Sequence, residues 1–139
     1  MRRRYQTEED LQNERGVADA VCAHFGLQPV KLPDYTRADF LLHRDGIAEA
    51  ILEIKCRNVS SAKYETYMLS KGKYDALLGW ADMGFKAALA VRWTDAIGVV
   101  RLPVEHTEDV GGRTDRGDAL DIERVVHIPI DCFRMLPPQ

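Results

Sequence analysis

The apolar positions near the start of the chain repeat with the spacing of a helix. The Thr7 hydroxyl can cap this helix, and the acids at positions 8–10 place negative charge where a helix N-terminus favours it. We expect the helix to run to Phe25 and to end at Gly26. Glu14 lies on the same side as the apolar stripe, so a positive group should face it. The stripe consists of Leu11, Ala18, Val21, Cys22 and Phe25.

The pattern then changes to one typical of strands. Prolines and β-branched residues favour extended chain after Gly26. Two strands are predicted, Ala38–His43 and Ile47–Cys56, joined by a hairpin loop at 44–46. With a three-residue loop, Asp39 lies opposite Ile51. A two-residue loop would shift the register by one, so this pairing depends on the turn type.

The second half of the chain predicts one more helix and further strands. Ser70 can cap a helix that runs to about Met83 and closes at Gly84. The predicted strands are Ala87–Trp93, Ile97–Leu102 and a last strand or edge extension at Val125–Ile130. This order predicts an α/β sandwich with a central mixed β-sheet flanked by helices. We expect a single domain over 1–139, with a core at about 7–102, an acidic surface loop at about 105–121 and a C-terminal strand extension.

Composition and charge narrow the possible functions. The chain has 139 residues, of which 45% are hydrophobic, which is enough for one core. No apolar run reaches the roughly 20 residues of a membrane span, and three scattered cysteines (Cys22, Cys56, Cys132) favour a reduced, cytoplasmic setting. The net charge of −3 is uneven, because residues 105–121 hold six acids and two bases. The remainder is slightly basic, so a phosphate-backbone partner is compatible with the sequence.

Charged residues interrupt the most apolar predicted strand. Glu53 and Lys55 share one face because side chains alternate along a strand, and the hairpin register adds Asp39 to that face. The rest of the strand is apolar on both faces, so charge is out of place there unless it has a role. Two carboxylates with nearby main-chain carbonyls suit Mg²⁺ or Mn²⁺. Lys55 could orient or deprotonate a water, or stabilise negative charge on a phosphate.

These residues carry a specific resemblance. Asp39 followed after thirteen residues by Glu53-Ile54-Lys55 resembles the signature of the PD-(D/E)xK nuclease superfamily. The similarity covers roughly Thr7 to Leu102 and implies a restriction-endonuclease-like fold. The stretch 69–73, with residues farther downstream, resembles the small phage, VRR-type and archaeal junction-resolving nucleases.

The resemblance implies a role for each matching residue. Asp39 and Glu53 would hold the metal, with the Ile54 carbonyl as a further ligand, and Lys55 would be the catalytic lysine. A literal Pro33-Asp34 lies five residues before Asp39, so either acid could be the first ligand. Asp39 is preferred because it lies inside a predicted strand.

Other residues extend this implied site. Glu14 matches a first-helix acid that binds a second metal or its water shell. Lys73 would contact the scissile phosphate or hold Glu53, near a helix N-terminus that favours anions. Backbone contacts to nucleic acid would come from four basic residues, although solvated surface charge explains them equally well: Arg57, Lys63, Lys71 and Lys73.

The expected function is a Mg²⁺- or Mn²⁺-dependent nuclease that hydrolyses phosphodiester bonds, as a structure- or partner-directed DNA endonuclease. The resemblance further implies a homodimer and a phage, prophage or bacterial origin, and the lack of an apolar run long enough to span a bilayer predicts no membrane partner. Two alternatives stay open. One is a non-catalytic nucleic-acid-binding or assembly protein that keeps the nuclease fold. The other is an α/β interaction module whose buried charges pair internally.

Overall fold

The computed structural model describes residues 7–112 and 122–138. Its helices and strands, in chain order, are α1 (Glu8–Phe25), β1 (Gln28–Lys31), β2 (Phe40–Arg44), β3 (Ile47–Cys56), β4 (Thr66–Ser70), α2 (Lys71–Asp82), β5 (Lys86–Arg92), β6 (Ile97–Leu102), β7 (Thr107–Gly112), β8 (Ile122–Pro129) and β9 (Arg134–Met135). Neither described helix is long and apolar enough to cross a membrane.

The strands form two sheets. The larger has the order β1-β2-β3-β5-β6-β9, in which β3 and β5 run parallel and the other neighbours run antiparallel. The smaller is antiparallel, with the order β4-β8-β7. The chain leaves β3, forms β4 and α2, and returns as β5, as a parallel pair requires. The predicted α/β architecture with a central mixed sheet is confirmed.

Both helices begin where the sequence predicts. Thr7 Oγ1 accepts a hydrogen bond from the Asp10 amide at 3.0 Å, and Asp10 Oδ2 accepts one from the Thr7 amide at 3.2 Å. Gly26 ends α1 in the left-handed conformation, with φ of 72°. Ser70 Oγ caps α2 by accepting from the Lys73 amide at 3.1 Å, which fixes Lys73 in the first turn.

Each face of the larger sheet packs against its own layer. On one face, α1 buries Val17 and Val21 against Leu52 and Ile54 of β3. On the opposite face, α2 and the smaller sheet share a second cluster with β5, β6 and residues near the C-terminus. Its largest members include Tyr67, Leu77, Leu89, Trp93, Leu102, Ile128 and Phe133. Because side chains alternate along β3, Glu53 lies on the α2 face.

The hairpin differs from the predicted one in its loop and in a bulge, and each moves the register by one residue in the same direction. Its loop has two residues, Asp45 and Gly46, both with positive φ, so the register moves by one. A bulge then leaves Glu49 without an opposite residue, because Leu42 pairs with Ala50. The two shifts add up to two residues, so beyond the bulge each side chain stays on the face of the sheet that was predicted for it. The predicted pairing with Ile51 is therefore wrong, but Asp39 still shares the face of Glu53.

Three strand boundaries also need correction. The strand predicted at Ala38–His43 begins at Phe40, so Asp39 lies just before it. Residues 107–112 of the predicted acidic loop form β7, which pairs with β8; positions 113–121 lie outside the described residues. Of the two alternatives predicted for Val125–Ile130, a last strand or an edge extension, the strand is right: it corresponds to β8, the central strand of the smaller sheet. The sequence analysis predicted no strand at β4 or β7, the two partners of β8, and so missed the smaller sheet; it also missed β9 at the edge of the larger sheet.

Candidate active site

A cleft of about 500 Å³ opens where the hairpin, the smaller sheet and the first turn of α2 meet. The end of β3 forms its floor, and the chain just before β2 forms one wall. The lining residues are mainly polar: Lys31, Asp34, Arg37, Ala38, Asp39, Glu53, Lys55, Arg57, Met68, Leu69, Ser70, Lys73, Glu123 and Val125. The cleft therefore collects most of the charged residues singled out in the sequence.

Glu53 is the buried charge at the centre of this cleft. The residue is only 4% exposed. Its Oε1 lies 3.3 Å from Lys73 Nζ, and its Oε2 lies 3.7 Å from Lys55 Nζ. Burial, followed by the Asp39 carboxylate, raises the pKa of Glu53 above its usual 4.5, whereas the two ammonium groups oppose that rise. The two lysines thus offset only part of the cost of burying this carboxylate.

Asp39 is fixed beside β3 although it precedes β2. Its Oδ2 accepts a hydrogen bond from the Ile54 amide at 2.7 Å, and its own amide donates to the Leu52 carbonyl at 3.1 Å. These bonds hold the two carboxylates of Asp39 and Glu53 in one corner of the cleft. Asp34 also lines the cleft, from an exposed 3-10 turn at 34–36. Of the two acids, Asp39 is the one bonded to β3.

Glu14 does not line the cleft itself. Helix α1 packs on the opposite face of the sheet, and Glu14 borders a shallow depression that Ile54 and Lys55 also line. Lys31 connects the two places, because its Nζ is 3.9 Å from Glu14 Oε1 and 3.9 Å from Asp39 Oδ1. The expected positive group facing Glu14 is therefore Lys31. The sequence analysis missed this lysine because the strand pairing of the extended segment after Gly26 could not be predicted from the sequence.

Arg37 is a second residue that the sequence analysis missed. It has a φ of 63°, an unfavourable conformation for a residue with a side chain, and it ends the 3-10 turn before β2. Its carbonyl accepts a hydrogen bond from Lys73 Nζ at 3.2 Å. The Lys73 ammonium thus joins this turn to Glu53. A backbone conformation of this kind has no signal in the sequence.

The four predicted nucleic-acid contacts separate into two groups. Arg57 and Lys73 line the cleft. Lys71 instead lies 2.6 Å from Asp75 and 4.0 Å from Glu108. Lys63 lies over the ring of Tyr64, away from the cleft lining. The structure therefore brings two of the four basic residues to the carboxylates.

The donor set fits a hard, highly hydrated cation. Within residues 7–112 and 122–138, no group of three or more His, Cys, Asp or Glu is placed to hold a metal ion. Two carboxylates and neighbouring carbonyls nevertheless provide oxygen ligands alone, and Mg²⁺ usually binds through one or two carboxylates while keeping several waters. Burial disfavours the charged form of Glu53, and a cation bound in this corner would stabilise that form. PD-(D/E)xK nucleases generally use divalent metals, consistent with this chemistry.

Comparison with known proteins identifies the family. A family model described as "Phage putative PDDEXK endonuclease" matches residues 1–136. A search of curated proteins finds no match. Among solved structures, the chain is similar to Hjc, a Holliday junction resolvase from the archaeal hyperthermophile Archaeoglobus fulgidus. The match has a TM-score of 0.58 and 14% identity, and covers 88% of this chain and 90% of Hjc. That likeness confirms the restriction-endonuclease-like fold, and the family match shows that the chain belongs to this phage PDDEXK endonuclease family.

Proposed function

We propose that the protein is a divalent-metal-dependent DNA endonuclease whose active site is the cleft around Asp39 and Glu53. The observation that carries this proposal is Glu53 itself, which is 4% exposed, faces two lysines and lies beside a second carboxylate. A purely structural role would favour an apolar residue in this strand, since burying charge is costly. We further propose that residues 1–139 act as one nuclease domain.

Asp39, Glu53 and the Ile54 carbonyl would hold Mg²⁺ or Mn²⁺. When bound, such an ion supplies polarisation of phosphate oxygens and lowers the pKa of a bound water. Lys55 has its ammonium 3.7 Å from Glu53 and lines the cleft, so it is placed to orient the attacking water or to stabilise charge on the phosphate. The Asp39 hydrogen bond to the Ile54 amide keeps the donor atoms in place before any substrate binds.

Two further residues position this machinery. Lys73 holds Glu53 on one side and the Arg37 carbonyl on the other, and it lies in the first turn of α2, where main-chain amides favour an anion. Arg57 lies at the cleft edge, where it can contact a neighbouring phosphate. Glu14 holds the Lys31 ammonium near Asp39 and, beside Ile54 and Lys55, would bind a second metal or its water shell.

Removal of the Lys31 charge should tighten metal binding. In Lys31→Met, the cation 3.9 Å from Asp39 is gone, so a divalent ion meets less repulsion at the carboxylates. We expect the dissociation constant for Mn²⁺ to fall about three- to tenfold, equivalent to roughly 0.7–1.4 kcal/mol for a partly exposed pair. Calorimetric titration with Mn²⁺ measures this change. Unchanged or weaker binding would show that Lys31 does not compete with the metal.

Branched DNA is the proposed substrate class. Hjc is by name a Holliday junction resolvase, and the present chain matches nearly the whole of its fold. We therefore infer that cleavage depends on DNA structure or on a partner protein, and that two copies act together to cut two strands.

A substrate panel tests this function. Plasmid, linear duplex and four-way-junction DNA are incubated with wild-type protein in Mg²⁺, Mn²⁺ or EDTA. We expect cleavage only with metal, and fastest on the junction. DNA binding without cleavage on any substrate would favour the non-catalytic binding protein. Absence of both metal and DNA binding would favour the interaction module with internally paired charges.

A further inference from the structure

A second cavity, which we call the side pocket, adjoins the active-site cleft. It has a volume of about 420 Å³, within the usual range for small-molecule sites. Arg57 and Met68 line both cavities, so the two are adjacent and share a wall. The lining of the side pocket is mostly apolar and aromatic, in contrast to the charged cleft. A molecule whose charged part lies in the cleft could therefore place a flat apolar part in the side pocket.

The spacing of the two cavities matches a nucleic-acid strand. Residues 68–70 of β4 line the cleft and residues 66–68 line the side pocket. The centres of these two stretches are two residues apart, or about 7 Å along a strand. One B-form DNA strand advances by about 7 Å over two nucleotides. The side pocket thus lies about two nucleotide steps from the cleft, within reach of a DNA strand whose phosphate is bound there.

The wall of the side pocket is held in place by hydrogen bonds. The Thr94 amide donates to the Val59 carbonyl at 3.0 Å, and Asp95 accepts from both the amide and the hydroxyl of Ser61 at 2.8 Å. Trp93, which is buried, packs edge-on against Tyr67 with ring centroids 6.4 Å apart. These contacts tie the segment after β3 to the β5–β6 turn, so the cavity exists without a ligand.

The wall also offers the groups that a nucleobase needs. Tyr64 and Met68 are 62% and 54% exposed, which leaves an aromatic ring and a thioether available for stacking. Burial raises the pKa of Tyr67 to about 12, and Arg57 is the nearby donor that opposes this rise. The Tyr67 hydroxyl therefore stays protonated and can donate, and its proton has no acceptor among the described residues. Arg57 lies 5.0 Å over the Tyr67 ring, at the boundary with the cleft.

We propose that the side pocket binds one unpaired nucleobase of the substrate DNA, next to the phosphate that is cleaved. This inference rests on the proposed nuclease function and specifies its substrate as DNA with an unpaired or unstacked nucleotide near the cut. A base inside a duplex cannot enter the pocket, because it is stacked between its neighbours. The base stacks on Tyr64 and receives a hydrogen bond from Tyr67, while Arg57 contacts the adjoining phosphate.

Binding and cleavage are measured separately to test this proposal. Two fluorescein-labelled duplexes are compared, one fully paired and one with a single unpaired adenosine nucleotide. Binding is followed by anisotropy in EDTA, where no metal is available for cleavage. We expect wild-type protein to bind the DNA with the unpaired nucleotide about tenfold more tightly, in line with the effect of base–aromatic stacking. Cleavage of both duplexes is then measured in Mg²⁺.

Three variants test which residues cause the preference for DNA with an unpaired nucleotide. Tyr64→Ala should remove most of the preference, because it deletes the exposed ring. Tyr67→Phe keeps the buried packing and removes only the hydroxyl, so it should reduce the preference about two- to tenfold, as expected for one hydrogen bond. Tyr35→Ala is the matched control, since Tyr35 is 85% exposed and lines neither cavity. It should keep the wild-type preference.

The possible outcomes separate the pocket from the nuclease. Metal-dependent cleavage with equal affinity for both duplexes, or a preference that Tyr64→Ala retains, would overturn the pocket and leave the nuclease standing. A preference lost in Tyr64→Ala, without cleavage of either duplex, would support the pocket and overturn the nuclease. If the protein bound neither duplex, the proposal that the side pocket binds a nucleobase would be overturned.

Discussion

Replacement of Glu53 with glutamine is expected to lower metal-dependent DNA cleavage by about 1,000-fold or more. The substitution keeps the shape of the side chain and removes the buried charge that would hold the cation. Loss of the metal removes several kcal/mol of transition-state stabilisation, and each 1.36 kcal/mol is a factor of ten in rate. Single-turnover cleavage of the preferred DNA in saturating Mg²⁺ measures the effect. Cleavage within tenfold of wild type would exclude Glu53 as a metal ligand.

Glu49→Gln is the matched control for this variant. Glu49 lies on the same strand, contacts Arg44 at 2.9 Å and Lys86 at 4.0 Å, and does not line the cleft. Its loss should leave cleavage unchanged. If replacement of any acid in β3 by a neutral residue disrupted the fold, both variants would lose cleavage.

Glu53→Gln should not weaken the fold of the metal-free protein. The raised pKa of Glu53 means that the folded chain binds its proton more tightly than the unfolded chain. The free energy of unfolding of metal-free wild type therefore falls as pH rises from about the ordinary value of 4.5 through the raised value. Glu53→Gln lacks this fall, so its melting temperature at neutral pH should equal or exceed that of wild type. Thermal unfolding in EDTA at several pH values measures the difference.

Replacement of Lys55 with methionine should lower cleavage by about 100- to 10,000-fold, the usual contribution of a positioned acid–base group. The unbranched methionine keeps most of the apolar stem, and the side chain is one-third exposed, so the fold should persist. Metal binding should also persist, because an ammonium is not a metal ligand. Lost cleavage with retained Mn²⁺ binding would therefore assign Lys55 to the chemistry rather than to the metal.

Lys86→Met controls for the loss of a lysine near β3. Lys86 begins β5, which pairs with β3, and its side chain is 56% exposed outside the cleft. Cleavage by this variant should match wild type. If Lys55→Met cleaved as fast as the control, the lysine would have only a structural role.

The sequence predicted the helices and the sheet core because their signals are local. Thr7, Ser70 and Gly26 act on the backbone within a few residues, and the apolar run of β3 identifies a central strand without any partner. The association of Asp39 with Glu53 was less secure. It depended on a turn and a bulge that each shift the register by one residue, and only the sum of the two keeps Asp39 on the face of Glu53.

Contacts that depend on long-range pairing could not be predicted in the same way. Lys31 reaches Asp39 only because β1 pairs with β2, and Arg37 reaches Lys73 through a left-handed backbone conformation. The smaller sheet brings β4, β7 and β8 together from distant parts of the chain. In β7, the acidic residues at 108–109 that suggested a loop are exposed strand residues; because neighbouring residues point to opposite faces, this edge strand is exposed on both faces there.

Calorimetric titration of Mn²⁺ into metal-free wild type and Glu53→Gln tests the central claim most directly, because it requires no knowledge of the DNA substrate. The account predicts that wild type binds Mn²⁺ and that Glu53→Gln binds it at least about tenfold more weakly, as expected for loss of a ligand or its support. Equal affinity of both proteins, or no binding to wild type, would contradict a metal site at Asp39 and Glu53.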